Sequence, residues 1–554
     1  MTFTKTSPKS LAVLRRHSQK LQGSTAVRGL ANRTLSACAA ASDSPTSGND
    51  KPPLRVCVVG SGPAGFYTTK YLLKEQGLSD RGITIDIVDR LPTPYGLVRS
   101  GVAPDHPEVK AAQNDFEQVA SDPRVSFFGN VTVGSDVSVA QLRELYHAVV
   151  IAHGAGGDRS LGVPGEDLDG VLTARAFVNW YNGHPDCADL GPRIAAALRH
   201  SDTAVVIGVG NVALDCARIL AKGADALRST DIAAHALEAL SAAAPKRIVV
   251  AGRRGAAQAS FTIKELRELT RIELSLSAAQ GVACAVREDE LRLSDAAPPP
   301  PQDRAKQRIM ALLGAVAEAS KVPPPHSREV QLRFLLSPRR MVPSPADPAR
   351  VGAIEMERTA LVAADDGSGA VRAKGTGVTE TIDCGLVLTS IGYRTLPLDD
   401  LPYDARRATV ACAGGGASPR VENAPGTYCA GWARRGPSGI IGTNILDAKF
   451  AAAALAEDAA SGALPGAAEA RWVISVRSAA ALAEDAALGA AGGGGRAVRT
   501  QALLSDSAVA VVDWTGYQRI DAAERARGAA ASKPREKVVR VAEMLSLARG
   551  SGAD

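Results

Sequence analysis

No two of the eight cysteines (Cys38, Cys57, Cys187, Cys216, Cys284, Cys384, Cys412 and Cys429) lie within five residues of one another. The chain therefore has no C-x-x-C pair for zinc, an iron–sulfur cluster or dithiol chemistry, and no metal site is expected. Most of these thiols sit in apolar segments such as RVCVVG and TYCAGW, where cysteine behaves as a small hydrophobe. No apolar run reaches the roughly 18 residues of a membrane span. Aromatics are scarce at 4%, but 554 residues that are 45% apolar can build roughly two to four domains, which excludes chain-wide disorder and a small disulfide-stapled module. Acid is missing from the N-terminus. The first carboxylate is Asp43, whereas residues 1–42 hold Lys5, Lys9, Arg15, Arg16, Lys20, Arg28 and Arg33. Without these the body has 57 basic against 58 acidic residues, so the net charge of +6 belongs to the leader and does not point to nucleic acid. Residues 1–50, rich in Ser, Thr, Arg and Ala and without an apolar h-region, have the composition of an organelle transit peptide. The arginines favour a mitochondrial over a chloroplast address.

What is present is organised around two glycine turns. In the first, the apolar run LRVCVVG enters Gly60, Gly62 and Gly65 in G-x-G-x-x-G spacing, and the helical pattern FYTTKYLLKEQG follows. In a dinucleotide site the first glycine allows the tight turn, the second lets backbone amides approach a pyrophosphate, and the third lets helix pack on strand. A second strand, ITIDIVD, ends at Asp89, where a carboxylate can accept hydrogen bonds from an adenosine ribose. The second turn, AVVIGVGNVALDCARILAKG, repeats the pattern with Gly208, Gly210 and Ala213. Its following strand, KRIVVAGRRG, ends on Arg253 and Arg254 in place of an acid. Two guanidiniums can hold a 2′-phosphate that a carboxylate would repel, which selects NADP over NAD. An FAD site followed by an NADP site is the simplest assignment.

A later stretch, GTYCAGWARRGPSGIIGTNILDAKFAAAAL, reads as a short strand, a Gly-rich turn and a helix beginning near Ile440 that could turn N–H groups toward a flavin ring. The proline runs at 298–302 and 322–327 flank a basic helical piece, DRAKQRIMALLGAVAEA, and GAAGGGG at 489–495 reads as a surface-loop insertion.

These residues resemble the NADPH–adrenodoxin oxidoreductase family, the mitochondrial-type ferredoxin–NADP reductases. The likeness rests on VCVVGSGPAGFYTTKYLLK, YGLVRSGVAPDHPEVK, ARAFVNWYNGHPD, GNVALDCARIL, GRRG, FTIKELREL, GLVLTSIGY, GWARRGPSG and SKPREKV, and runs from about 54 to 540. It implies an α/β fold of two Rossmann-like domains, the NADP domain inserted in the FAD domain. The expected parts are the leader 1–50, FAD-binding residues 54–160, NADP-binding residues 161–383 and returning FAD-binding residues 384–554. It further implies FAD contacts from Ala64, Asp89, Leu97, Val133, Trp432, Gly439, Ile440 and Ile441. NADP contacts would come from Val209, Gly210, Asn211, Val212, Arg253, Arg254, Glu265 and Gly439. His106 and Glu265 would stand near the nicotinamide, where a carboxylate can orient an imidazole. A [2Fe–2S] ferredoxin is the implied electron acceptor, held by Arg304 and Arg308, which share a helix face at i and i+4, and by Lys74. The implied compartment is the mitochondrial matrix, with room for a peripheral seat on the inner membrane.

The chain departs from the family pattern in three places. Asp89 stands where the family usually has Glu, one methylene longer. Val209 precedes Gly210 where a polar residue is common, so only its backbone could reach a cofactor. The segment 272–300 and the Gly-rich run near 490 diverge, and nothing is assigned to them. Two other readings share the glycine turns. A pyridine nucleotide–disulfide reductase would need a dithiol beside the flavin; a nucleotide-binding flavoprotein scaffold would need neither intact turn nor both arginines.

Overall fold

The apolar run LRVCVV becomes a strand covered on both faces. The computed structural model describes residues 53–271, 281–291, 303–321, 328–364, 371–466 and 509–550. The leader, the two proline runs and the Gly-rich run near 490 lie outside them. Leu54–Val59 sits in the middle of a five-stranded parallel sheet, between Ile83–Val88 and Ala148–Ile151, with Val125–Phe128 and Thr427–Cys429 at the edges. Side chains alternate across it: Leu54, Val56 and Val58 join a core with Phe66, Leu72 and Leu455, whereas Cys57 and Val59 join one with Leu142, Val149 and Cys429. Double coverage is why the sequence reads as an unbroken apolar run and not as an alternation. The edge strand Thr427–Cys429 comes from far along the chain, so the first sheet is built from two separate stretches of sequence.

That intervening chain builds a six-stranded parallel sheet in the order Val171–Thr173, Leu386–Thr389, Thr203–Ile207, Arg247–Gly252, Arg328–Phe334, Val282–Val286. Ala204 and Val206 face a helical layer that includes Leu214 and Leu220. Val205 and Ile207 face Met341, Ile354 and Met356, carried by an antiparallel sheet of Leu336–Ser344, Asp347–Ala363 and Val371–Asp383. Leu386–Thr389 belongs to this second sheet although it follows residue 384. The chain therefore crosses back to the first sheet between residues 389 and 427.

Cys412 and Cys429, far apart in sequence, are buried in the same core. The residue spacing conceals that these two thiols share it.

The C-terminal stretch SKPREKV straps the two sheets' modules together through buried charge. Glu524, on the helix Trp514–Ala530, is fully buried. It accepts from the Arg99 guanidinium, from Arg535 at 2.8 Å and from the Val538 amide at 2.9 Å. Asp231 accepts from Lys110 at 2.5 Å and pairs with Lys537 at 3.1 Å, and Lys533 donates to the Ile232 carbonyl at 2.5 Å. Burial pushes the Asp231 carboxyl up, but Lys537 and Lys110 outweigh it and hold its pKa at about 2; burial pushes the Lys537 ammonium down to about 7.

Asp231→Asn strands two buried ammoniums, and loss of one partner from such a cluster costs about 3–5 kcal/mol. An Asp with a folded pKa depressed from about 3.9 leaves the unfolded chain binding more protons, so its stabilisation is lost as pH falls from about 4 to about 2. The denaturation midpoint of the wild type should drop across that window, and Asp231→Asn should start lower and lack that part of the drop.

Candidate cofactor and electron-transfer site

The first glycine turn has each of its glycines for a different reason. Gly60 sits at φ +107°, and a Cβ there would lie 2.6 Å from the Ala152 carbonyl oxygen. A Cβ on Gly65 would lie 1.9 Å from the Gly60 oxygen, so helix Pro63–Lys74 can meet its strand only through glycine. Gly62 is different: its nearest neighbour would be Gly96 Cα at 4.0 Å, so no protein atom crowds that face. No side chain caps the helix at Gly62, and its first amides are left for a ligand. Asp89 closes the turn, accepting from the Ser61 amide at 2.8 Å, the Ser61 hydroxyl at 2.6 Å and the Leu91 amide at 2.9 Å. Leu97 begins a short helix whose preceding residue, Gly96, abuts Gly62. The uncrowded glycine and uncapped amides beside a carboxylate fit a dinucleotide such as FAD.

The second turn repeats this arrangement. Helix Asn211–Leu227 starts at Gly210 with no side-chain cap. Val209 packs its side chain on Gly252, where a Cβ would meet Val209 Cγ1 at 2.7 Å, and offers its carbonyl to the Ser260 amide at 2.9 Å. Asn211 Oδ1 accepts from the Thr262 amide at 2.8 Å, and Val212 is half-buried against the second core. Arg253 and Arg254 follow the fourth strand of that sheet. Their carbonyls are fixed by the Thr359 hydroxyl (2.7 Å) and the Leu335 amide (3.2 Å), while both side chains are exposed. Among the described residues neither guanidinium forms an ion pair or side-chain hydrogen bond. Two adjacent guanidiniums thus stand open at a strand end, an arrangement that can take a 2′-phosphate.

The late loop packs against the first turn. Gly431 lies against Ala64, where a Cβ would sit 2.5 Å from the Ala64 Cβ. Trp432 turns its indole N–H to the Ser438 carbonyl at 3.1 Å and tilts its ring against Tyr393. Gly439 and Ile440 are exposed, Ile440 at 60%, and Ile441–Thr443 forms a 3₁₀ turn. The helix itself starts at Asn444, a few residues later than its sequence pattern suggests, because the Thr443 hydroxyl takes the Ile440 amide in that turn. Val133 is half-buried in the same cluster as Ala433.

His106 and Glu265 are brought together, with an addition. His106 Nε2 lies 2.8 Å from Glu268 Oε2, and the imidazole and the carboxylates of Glu265 and Glu268 fall within 4.8 Å of one another. The bonded partner of His106 is thus Glu268. Glu265 and Glu268 are three apart on helix Ile263–Thr270, a spacing that shares a face. Burial, then Asp215 and Glu268, push the Glu265 carboxyl above the usual range against His106 and Lys264, and its buried Oε2 has no hydrogen-bond partner. Asp105, beside His106, receives Arg218 and Lys222 at 2.7 Å from the second module's helix, and the two cations hold its carboxyl far below the usual range against the effect of burial.

A family model described as pyridine nucleotide-disulphide oxidoreductase matches residues 54–252. The chain is 40% identical over 506 residues to the mitochondrial NADPH:adrenodoxin oxidoreductase of Arabidopsis thaliana, covering 90% of this chain and 95% of that one. It is 41% identical over 508 residues to the human protein of the same name, covering 90% and 93%. The solved structure of Mycobacterium tuberculosis FprA in complex with NADPH superposes with a TM-score of 0.75 at 37% identity, over 90% of this chain and 99% of that one. The chain belongs to the NADPH:adrenodoxin oxidoreductase family.

Within this family member, the remaining cations that the sequence singles out are exposed. Arg304 and Arg308 are exposed on helix Arg304–Ala319, and Lys74 is exposed in the last turn of Pro63–Lys74. Sequence reasoning missed Ser61, Glu268 and Asp215. Glu268 was within reach of the i, i+3 rule; the other two are recognised only through partners distant in sequence.

Glu265→Gln and Glu268→Gln should each slow anaerobic flavin reduction by NADPH about tenfold, with flavin content unchanged. Glu268→Gln also removes a like charge beside Glu265. The Glu265 carboxyl then ionises more easily, and the limb of the pH–rate profile it causes should move to lower pH.

Proposed function

We propose that the chain is an NADPH:ferredoxin oxidoreductase. It carries electrons from NADPH through FAD, singly, to a [2Fe–2S] ferredoxin of the adrenodoxin type. The observation that supports this most is the pair of uncapped glycine turns with opposite ends: a carboxylate, Asp89, at one and two open guanidiniums, Arg253 and Arg254, at the other. When bound, the two cofactors supply hydride transfer and one-electron release. The chain's own residues do the rest. Gly60, Gly62, Ala64 and Gly65, with Leu97, Val133, Trp432, Gly439, Ile440 and Ile441, form the flavin's bed, and 209–212 with Arg253 and Arg254 form the pyridine nucleotide's. His106, Glu265 and Glu268 act at the nicotinamide end, where they orient it and hold a proton at the carboxylates.

In this reading the FAD-binding parts are residues 54–160 and those following Thr389, and the NADP-binding part runs from about 161 through the strand Leu386–Thr389, a little beyond residue 383. The acidic ferredoxin docks on Arg304, Arg308 and Lys74, because a near-neutral body can attract it only through a local basic patch. The leader, without acid up to residue 42, and the mitochondrial relatives favour the mitochondrial matrix, with the chloroplast as the lesser alternative. No helix among the described residues is long and apolar enough to cross a membrane, and any contact with the inner membrane would be peripheral.

The purified protein should show an oxidised-flavin spectrum that NADPH bleaches anaerobically and NADH bleaches far more slowly. Arg254→Ala should raise the KM for NADPH by about tenfold or more and leave that for NADH nearly unchanged. Equal efficiency with both nucleotides in the wild type, or a protein that binds flavin without being reduced, would sink the assignment.

The docking face has its own test. Arg304→Glu with Arg308→Glu should slow ferredoxin reduction by about tenfold or more at low ionic strength and flatten its salt dependence. Electron transfer from NADPH to ferricyanide, which needs no docking surface, should persist.

A further inference from the structure

The helix Arg304–Ala319 carries a third cation, Lys306, that points differently from its neighbours. Asp303 fixes the helix start by accepting from the Ala305 amide at 2.9 Å, and Ile309, Leu313 and Ala317 form its buried stripe. At 3.6 residues per turn, Lys306 lies about 60° from Ile309 around the axis, whereas Arg304 and Arg308 lie about 140° and 100° away. Accordingly both arginines are exposed, and Lys306 is half-buried and donates its ammonium to the Ala259 carbonyl.

Ala259 belongs to the segment that wraps the second glycine turn. That segment starts with Arg253 and Arg254. It continues to Ser260, whose amide and hydroxyl both donate to the Val209 carbonyl at 2.9 and 3.1 Å, and ends at Thr262, whose amide is held by Asn211. Ser260 Oγ would be 3.3 Å from a Cβ on Gly210, so the wrap stands directly over the helix N-terminus. Lys306 is the one side chain from outside the wrap seen to bond its backbone at Ala259; burial pushes its ammonium down, Asp303 at the helix start opposes that, and the Arg254 guanidinium adds to it. On balance these surroundings disfavour the ammonium. A phosphate, carrying nearly two negative charges, reverses that balance.

We propose that Lys306 is a specificity-determining residue for the 2′-phosphate of NADPH: it pins the 253–260 wrap in the binding conformation and adds the third positive charge to Arg253 and Arg254. This rests on the NADP reading of the second glycine turn. On the same helix turn, Arg304 and Arg308 face outward, so one short element serves nucleotide and partner on different faces.

The test measures equilibrium binding of 2′,5′-ADP and of 5′-AMP to the oxidised holoenzyme, for wild type, Lys306→Gln and Lys306→Arg. Lys306→Gln should weaken 2′,5′-ADP by about tenfold and 5′-AMP by less than about twofold, with the gap narrowing at high salt. Lys306→Arg should restore most of the loss. Unchanged 2′,5′-ADP binding in Lys306→Gln would overturn the inference. So would equal weakening of both ligands, which marks a purely structural lysine. A wild type that binds both ligands equally would instead overturn the NADP reading itself, and is seen before any variant is made.

Discussion

Two bodies of chain built on separate sheets must present their ligands to each other, and what fixes one to the other is buried charge. Asp231 gathers Lys110 and Lys537, and Asp105 gathers Arg218 and Lys222, across the two bodies; Glu524, within the first, gathers Arg99, Arg535 and the Val538 amide and anchors the C-terminal stretch there. Each carboxylate takes more than one cationic or amide donor, which is what repays the removal of such groups from water. Apolar contact alone would hold the modules together but leave their angle soft, since it is not directional. Ionic contacts of fixed geometry set the angle, and the stretch 532–538 supplies one of them, from Lys537 to Asp231.

That constraint explains where the reactive groups lie. His106 follows Asp105 directly, so the clasp to Arg218 and Lys222 also delivers the imidazole to Glu268 and Glu265 on a helix of the other module. The cluster is assembled from two sheets' worth of chain, and neither part contains it alone. Burial, and then the neighbouring carboxylates of Asp215 and Glu268, push the Glu265 carboxyl above its usual range.

The nucleotide turns show the complementary principle. Protein atoms crowd Gly60 and Gly65 but leave Gly62 open, and neither helix N-terminus is capped by a side chain. Elsewhere in the molecule helices are capped in the ordinary way, by Ser138, Thr173 and Thr262 among others. Several other helices also lack a side-chain cap; what sets these two apart is a glycine at the N-cap that leaves the first amides open to an anion that is not part of the chain.

The glycine spacing, the apolar strands, the acid at Asp89 and the arginines at 253 and 254 were legible in the sequence because they are local: each needs only residues a few positions away to have its effect. Lys306 shows the limit. Its sequence setting, between two arginines, reads as one more surface charge, and only packing of the Ile309 stripe turns it inward to Ala259. The burial of Cys412 with Cys429 in one core, the choice of Glu268 over Glu265 as the partner of His106, and the crossing back after Thr389 in place of 383 have the same cause. The sequence by itself determined two nucleotide-binding turns and the charge at the end of each, since backbone geometry and side-chain type act at short range. Which charges meet across the modules was decided by tertiary structure alone, because an ion pair depends on distance in space, and residues 105 and 218, or 231 and 537, form none until both sheets are folded.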